Sequence, residues 1–166
     1  MREALFSILG AVDDLRVLDL FAGSGALGIE ALSRGAAMVT LVDSAGDAAR
    51  AIRRNVGSLG AEAEVRRQSV SSFLEQAREA GRQYDLVFLD PPYDQAPKLG
   101  PGLSAALVPV LAPGARVIGE SDRRAPLELG RLTPRDERRY GDTLIRIYSH
   151  DPPENRAALG CDVHPR

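Results

Sequence analysis

The chain has 166 residues, which leaves room for one domain of ordinary size and excludes two. A composition 44% hydrophobic, 27% charged and 5% aromatic can bury a real core and excludes global disorder. A single cysteine (Cys161) excludes an internal disulfide, two histidines (His150, His164) offer little to a metal, and a net charge of -2 gives no general attraction to nucleic acid.

Along the chain, short apolar runs alternate with segments of helical period. Strands are predicted at Arg16–Leu20, Met38–Asp43, 63–67, Tyr84–Leu89 and 115–120, with helices over 26–34, 45–59, 71–80 and 102–111 between them. That alternation predicts βαβ units and a parallel sheet. In the second helix Ala48, Ile52, Val56 and Leu59 form one apolar face, and Gly60 supplies a stop. Past Glu120 the rhythm changes: 131–140 and 143–148 flank Gly141-Asp142 with no room for a helix, which predicts an antiparallel hairpin closing the sheet. Residues 1–150 make the domain, and 151–166, with three prolines, read as a frayed tail. The N-terminal MREALFSILG has no long apolar core, and no stretch approaches the ~18 apolar residues of a membrane span, so a cytoplasmic protein is expected.

The first strand runs into Gly23, Gly25 and Gly28, spaced as G-x-G-x-x-G at a helix start. Glycines let a backbone turn tightly and approach a ligand, and amides at a helix start favour an anionic group. Asp43 ends the next strand twenty residues after Gly23, where it can accept from two ribose hydroxyls. A nucleoside-containing cofactor follows. Two classes share this plan. Asp19 beside the loop would repel a pyrophosphate but suits a cofactor with an ammonium and a sulfonium, as in S-adenosylmethionine. Asp19 could equally order its own loop through backbone amides.

The fourth strand leads into Asp90-Pro91-Pro92-Tyr93. In an open parallel sheet the carboxyl ends of strands beside the topological switch form the ligand crevice, so Asp90 should face the cavity that Gly23 faces. The Asp90 carboxylate and the Pro91 carbonyl could accept both N–H bonds of an exocyclic base amine, the two prolines would stiffen the loop, and Tyr93 would stack on the base. Asp-Pro-Pro also favours an ordinary turn without any chemistry.

Leu18 to Gly35 and Tyr84 to Tyr93 resemble the cofactor and catalytic motifs of amino-directed S-adenosylmethionine methyltransferases. More narrowly, Arg2-Glu3-Ala4-Leu5-Phe6, Gly23 through Ala36 and Tyr140-Gly141-Asp142-Thr143 resemble the bacterial 16S ribosomal RNA (guanine-966-N2)-methyltransferase family, over about residues 1–148. The resemblance implies a Rossmann-like class I fold, α/β, with a seven-stranded, mostly parallel sheet and helices on both faces. It implies S-adenosylmethionine as cofactor, 16S ribosomal RNA or the small ribosomal subunit as partner, and neither metal nor membrane. Carried over residue by residue, it implies Asp90, Pro91, Pro92 and Tyr93 as catalytic, and Asp19, Phe21, Gly23, Ser24, Gly25 and Asp43 as cofactor-binding, with Ser69 added at a position where the chain departs from the pattern. Members usually carry a basic, glycine-containing arm and an Arg-Pro-Thr element before the match to Arg2–Phe6, and this chain begins inside that region. RNA affinity is therefore expected to be weak and strongly salt-dependent. After the third strand, where methyltransferases often place an acidic residue near the adenine amine, Gln68-Ser69 stands here, which makes Ser69 or the Val70 amide the replacement contact.

Three other groups draw plainer readings. Asn55 could be a cofactor-side residue but reads first as a solvent-facing helix asparagine, Arg53, Arg54, Arg66 and Arg67 could form an RNA-facing patch but read first as solvated charges, and neither histidine has the partners of a charge relay. The alternatives are an adenine-N6 methyltransferase, a nicotinamide-dependent oxidoreductase, which gives Asp90–Tyr93 no task, and an inactive RNA-binding or assembly factor.

Overall fold

The computed structural model describes residues 1–152. Their order is α1 (Arg2–Leu9), β1 (Arg16–Leu20), α2 (Ala26–Ser33), β2 (Met38–Asp43), α3 (Gly46–Ser58), β3 (Glu64–Arg67), α4 (Val70–Glu79), β4 (Tyr84–Leu89), α5 (Ala96–Leu107), a 3-10 turn (Val108–Val110), β5 (Leu111–Asp122), β6 (Thr133–Tyr140) and β7 (Thr143–Ser149). One seven-stranded sheet runs β3-β2-β1-β4-β5-β7-β6, with the first five strands parallel and β7 antiparallel to both neighbours. The expected doubly wound sheet and terminal hairpin are both present.

Each face of the sheet has its own core, as the two-residue period of a strand requires. Val17, Leu41, Leu86, Phe88 and Ile118 pack against Leu5, Phe6 and Leu9 of α1, Ala31 of α2, and Ile52 and Val56 of α3. Leu18, Leu20, Val87 and Val117 pack on the other face against Phe73 and Leu74 of α4 and Leu103 and Leu107 of α5. The strands are nearly continuous apolar runs because helices cover both sides. Across the sheet, Tyr84 is fully buried and its hydroxyl donates to Thr40 Oγ1 at 3.3 Å.

Several boundaries differ from the sequence reading. Residues 2–9, to which no element was assigned, form α1, whose Phe6 ring meets Phe88 at 5.9 Å and lies under Arg34. The Leu9 carbonyl accepts from Arg116 at 2.7 Å. Helix α5 begins at Ala96 and not 102, with Pro97 in its first turn, where proline's fixed φ suits a helix start and its missing N–H costs nothing. It ends at Leu107, since the apolar run beyond it turns at Pro109 and pairs Leu111 with Tyr84 on β4. On α3 the buried face is Ala49, Ile52 and Val56, while Leu59 lies past the helix end and is 50% exposed. Gly60 does stop the chain there, at φ 62°. Residues 131–132 precede β6 without joining it. The charged β6, with Arg135, Asp136, Glu137, Arg138 and Arg139, is the sheet's edge, and such charges discourage pairing with another chain.

Asp151, expected to begin a tail, accepts from Ser149 Oγ at 3.0 Å and Arg135 Nη2 at 2.5 Å. The rest of that predicted tail, 153–166, lies outside the described residues. Among the described residues no helix is long and apolar enough to cross a membrane.

Candidate active site

The carboxyl ends of β1, β4 and β5 meet at a cavity of about 340 Å³. Asp19, Phe21, Gly23 and Ser24 line it from the first strand and its loop, Asp90 from the end of β4, Glu120 from β5, Ile145 from β7, and Met1, Arg2 and Leu5 from the start of the chain. A wider concavity of about 710 Å³ lies between α5 and residues 124–131, away from these strand ends, and contains none of the predicted site residues. The smaller cavity is the one that gathers predicted site residues.

The loop after β1 is built by left-handed backbone at Phe21 (φ 55°), Gly23 (59°) and Gly25 (79°). Phe21 tolerates a conformation that side chains rarely adopt because the chain is held on both sides of it. Ala22 N–H donates to Val42 at 3.0 Å, and Gly25 N–H to Ala22 at 2.8 Å. A Cβ on Gly28 would meet Leu41 Cδ2 at 2.8 Å and Asp19 Oδ2 at 3.1 Å, so this glycine brings α2 down on the sheet. A Cβ on Gly23 would meet nothing within 4 Å, which leaves open space over the loop.

Two aspartates fix the loop from opposite sides. Asp19 is buried and accepts from Gly28 N–H at 2.9 Å. Burial pushes its carboxyl up to about 7 against that hydrogen bond, with the charges of Asp90 and Asp43 adding to the rise. Asp43 accepts from Gly23 N–H through Oδ2 and from Ala45 N–H through Oδ1, both at 2.9 Å. Each of its oxygens keeps a lone pair for a further donor.

At the second motif, Asp90 is open to solvent at the cavity, yet the protein around it still raises its carboxyl above the ordinary range by partial desolvation. The Pro92 carbonyl accepts from Gln95 N–H at 2.9 Å in a tight turn, whereas no such bond engages the Pro91 carbonyl among the described residues. Tyr93 is 60% exposed and does not line the cavity. Its hydroxyl donates to the buried Asp122 carboxylate, which also accepts from Arg124 N–H at 2.7 Å. The guanidinium of Arg124 holds Asp122 below the usual carboxylate range.

Thus Asp19, Phe21, Gly23, Ser24 and Asp90 come together at one cavity. Gly25 and Asp43 hold its loop from outside the lining, and Pro91, Pro92 and Tyr93, which follow Asp90 in the chain, also lie outside it. Ser69 is not in the lining either: its Oγ caps α4 by accepting from Ser72 N–H at 3.2 Å. Two residues escaped the sequence reading. Asn55, read as solvent-facing, donates from Nδ2 to the Ser24 carbonyl at 3.1 Å and so braces the glycine loop. Glu120 was treated only as the end of a strand, although an acidic residue ending the strand beside β4 was a signal. Burial and the Asp90 charge raise its carboxyl.

The family described as conserved hypothetical protein 95 matches residues 1–149. Among curated relatives, ribosomal RNA small subunit methyltransferase D of Escherichia coli is 43% identical over 95 residues, 56% of this chain and 46% of that protein. The Bacillus subtilis protein YlbH, itself named only provisionally as an rRNA methyltransferase, is 34% identical over 158 residues, 89% of this chain and 83% of that one. The chain thus spans about half the length of the small subunit methyltransferase D relatives it matches. A solved Escherichia coli chain, yhhF, provisionally described as a methyltransferase, superimposes with a TM-score of 0.80 at 33% identity, covering 90% of this chain and 84% of that one. Another provisionally described methyltransferase, solved with S-adenosylhomocysteine bound, gives 0.74 at 16% identity over 87% of this chain and 47% of that one, a likeness of fold. The sheet is that of the methyltransferase fold, and the chain belongs to the conserved hypothetical protein 95 family.

Proposed function

We propose that this chain is an S-adenosylmethionine-dependent ribosomal RNA methyltransferase that transfers a methyl group to the exocyclic N2 of a guanine in 16S RNA. The observation that carries the reading is the meeting of Asp19, the Gly23 loop and Asp90 at one cavity. The residues fit the cofactor. Asp19 offers a carboxylate to its cationic end, Gly23 leaves room for its backbone to pass, and Asp43 keeps lone pairs for two ribose hydroxyls. The Ser69 hydroxyl caps α4 as an acceptor and keeps its own proton, so it and the Val70 amide in that helix's first turn are the two donors available to the adenine. When bound, S-adenosylmethionine supplies an electrophilic methyl on a sulfonium.

The remaining chemistry falls to the chain. Asp90 and the Pro91 carbonyl accept the two N2–H bonds, turn the nitrogen lone pair towards the methyl and stabilise the positive charge that grows on nitrogen. Methylation of N2 would leave a surplus proton there, and Asp90, whose raised carboxyl makes it a better acceptor than an ordinary aspartate, would take it. Tyr93 presents an exposed ring beside the same loop for the flipped base.

An oxidoreductase reading is disfavoured by charge, because a pyrophosphate would face Asp19, Asp90 and Glu120 together. Adenine-N6 methylation stays the second reading, since Asp90–Tyr93 serves either amine. Calorimetry with S-adenosylhomocysteine and with NAD tests the cofactor: binding of the first and not the second is expected, and the reverse would overturn the assignment. Methyl incorporation into 16S RNA separates an enzyme from an inactive RNA-binding factor. Such work on ribosomal RNA is consistent with a cytoplasmic protein.

A further inference from the structure

Glu120 stands next to the proposed catalytic aspartate with no partner of its own. Strands β4 and β5 are parallel with Leu89 opposite Gly119, so Asp90, the residue after β4, comes level with Glu120, which stays in β5 opposite Ile145 of β7. Both acids line the cavity. Elsewhere in the protein, partly buried acids are matched to cations: Asp85 to Arg16, Glu64 to Arg82 and Arg66, Asp122 to Arg124. No hydrogen bond or ion pair engages Glu120 among the described residues. Arg2, the one arginine or lysine in the lining, lies 3.8 Å from Glu30 instead, and Leu5 and Ile145 are apolar. Two adjacent, partly desolvated carboxylates without a counter-charge are costly until a ligand brings donors to them.

We propose that Glu120 reads the base: its carboxylate accepts the guanine N1–H while Asp90 holds the neighbouring N2 amine, and the pair selects guanine over adenine. The Watson–Crick edge of guanine carries N1–H and N2–H2 side by side, so donors face both carboxylates. Adenine carries N6–H2 beside a bare N1, whose lone pair would face Glu120. The same contrast separates guanine from 2-aminopurine, which keeps the 2-amino group but has a lone pair at N1. Glu120 is thus a specificity residue for the reaction proposed above, and the inference rests on that reading.

The test uses 16S RNA segments identical except at the methylated position, which carries guanine, 2-aminopurine or adenine. The wild-type chain is expected to prefer guanine over 2-aminopurine by roughly a hundredfold or more in kcat/KM, the scale on which a site built around a donor rejects an analogue lacking it. Glu120→Gln, whose amide can turn either a donor or an acceptor to N1, should narrow that ratio to below about tenfold. Equilibrium binding of the same RNAs in the presence of S-adenosylhomocysteine should narrow in parallel, with S-adenosylhomocysteine affinity unchanged within a few-fold. Glu120→Ala separates recognition from mere support, because a structural residue would lower guanine and 2-aminopurine turnover together and leave their ratio intact. A wild-type chain indifferent to N1–H, or a Glu120→Gln chain that keeps the full preference, overturns the assignment of Glu120 while leaving the methyltransferase reading in place. A wild-type chain that methylates adenine overturns the assignment of Glu120 together with the guanine-N2 reading, and one that methylates no base overturns the methyltransferase reading as well.

Discussion

The Asn55 side-chain amide donates to the Ser24 carbonyl at 3.1 Å, tying the last turn of α3 to the glycine loop across 31 positions of sequence. The bond is exposed, so its contribution to global stability is small. Its effect falls on the loop, where Ser24 lies between two left-handed glycines. Asn55→Ala should change unfolding free energy by no more than about 1 kcal/mol and weaken S-adenosylhomocysteine binding several-fold. Asn55→Asp, which sets an acceptor against the carbonyl, should weaken it further. Chemical denaturation and calorimetry on the same samples check both halves.

Asp19 makes cofactor binding depend on pH. Its carboxyl titrates at about 7 in the empty protein, and a cation bound beside it favours the ionised form, so binding expels a proton. Affinity should rise from pH 6 to pH 7.5 and then level off, with about tenfold weaker binding at pH 6 than on the plateau. The enthalpy should vary with the ionisation heat of the buffer. Asp19→Asn, which can still accept from Gly28 N–H, should flatten the profile. The same shift acts oppositely on the empty fold. Because the folded value lies above the unfolded one, this group's contribution to stability is complete below about pH 4 and is lost as pH rises through about 7. A pH series of thermal unfolding, with and without S-adenosylhomocysteine, distinguishes the two effects.

Much of the site was legible because its signals are local. The Gly23–Gly28 spacing, Asp43 twenty residues on, and Asp90 ending an apolar strand each follow from a few consecutive residues, and the parallel sheet then brings them together. What was missed depends on contacts between distant segments. Asn55 looks like any exposed helix amide until α3 is laid beside the loop, and Glu120 gains its setting only when β5 is placed next to β4. Helix α1 is eight residues long, below the length at which period alone is convincing, and it is held by packing of Phe6 on Phe88. Helix α5 was placed too late, beyond Pro97 and Pro101, although Pro97 sits where proline is welcome and Pro101 removes only one intrahelical bond.

Packing away from the site offers a control. A Cβ at Gly100 would stand 2.3 Å from the Glu128 carbonyl oxygen, and a backbone atom cannot swing aside as a side chain does. Gly100→Ala should therefore lower stability by about 1 to 3 kcal/mol, the scale of overpacking. Cofactor affinity below the melting transition should not change.

Tyr93 has a hydroxyl tied to Asp122 and an exposed ring. Tyr93→Phe loses the tether but keeps the ring, and methyl transfer should fall only a few-fold. Tyr93→Ala loses the stacking face, and KM for RNA should rise by roughly tenfold or more, as expected from about 1 to 3 kcal/mol per stacked base. Equal kinetics for the two variants would remove Tyr93 from the base-binding surface.

The central claim is that Asp90 directs a methyl group from S-adenosylmethionine to the N2 of a guanine in small-subunit RNA. Mass spectrometry of nucleosides from 16S RNA, or from small subunits, incubated with the chain and S-adenosylmethionine tests it most directly. The account predicts N2-methylguanosine with the wild-type chain and a rate lower by roughly a hundredfold or more with Asp90→Ala, while S-adenosylhomocysteine affinity stays within a few-fold. A different methylated nucleoside, no methylation on either substrate, or an Asp90→Ala chain as fast as wild type would contradict it.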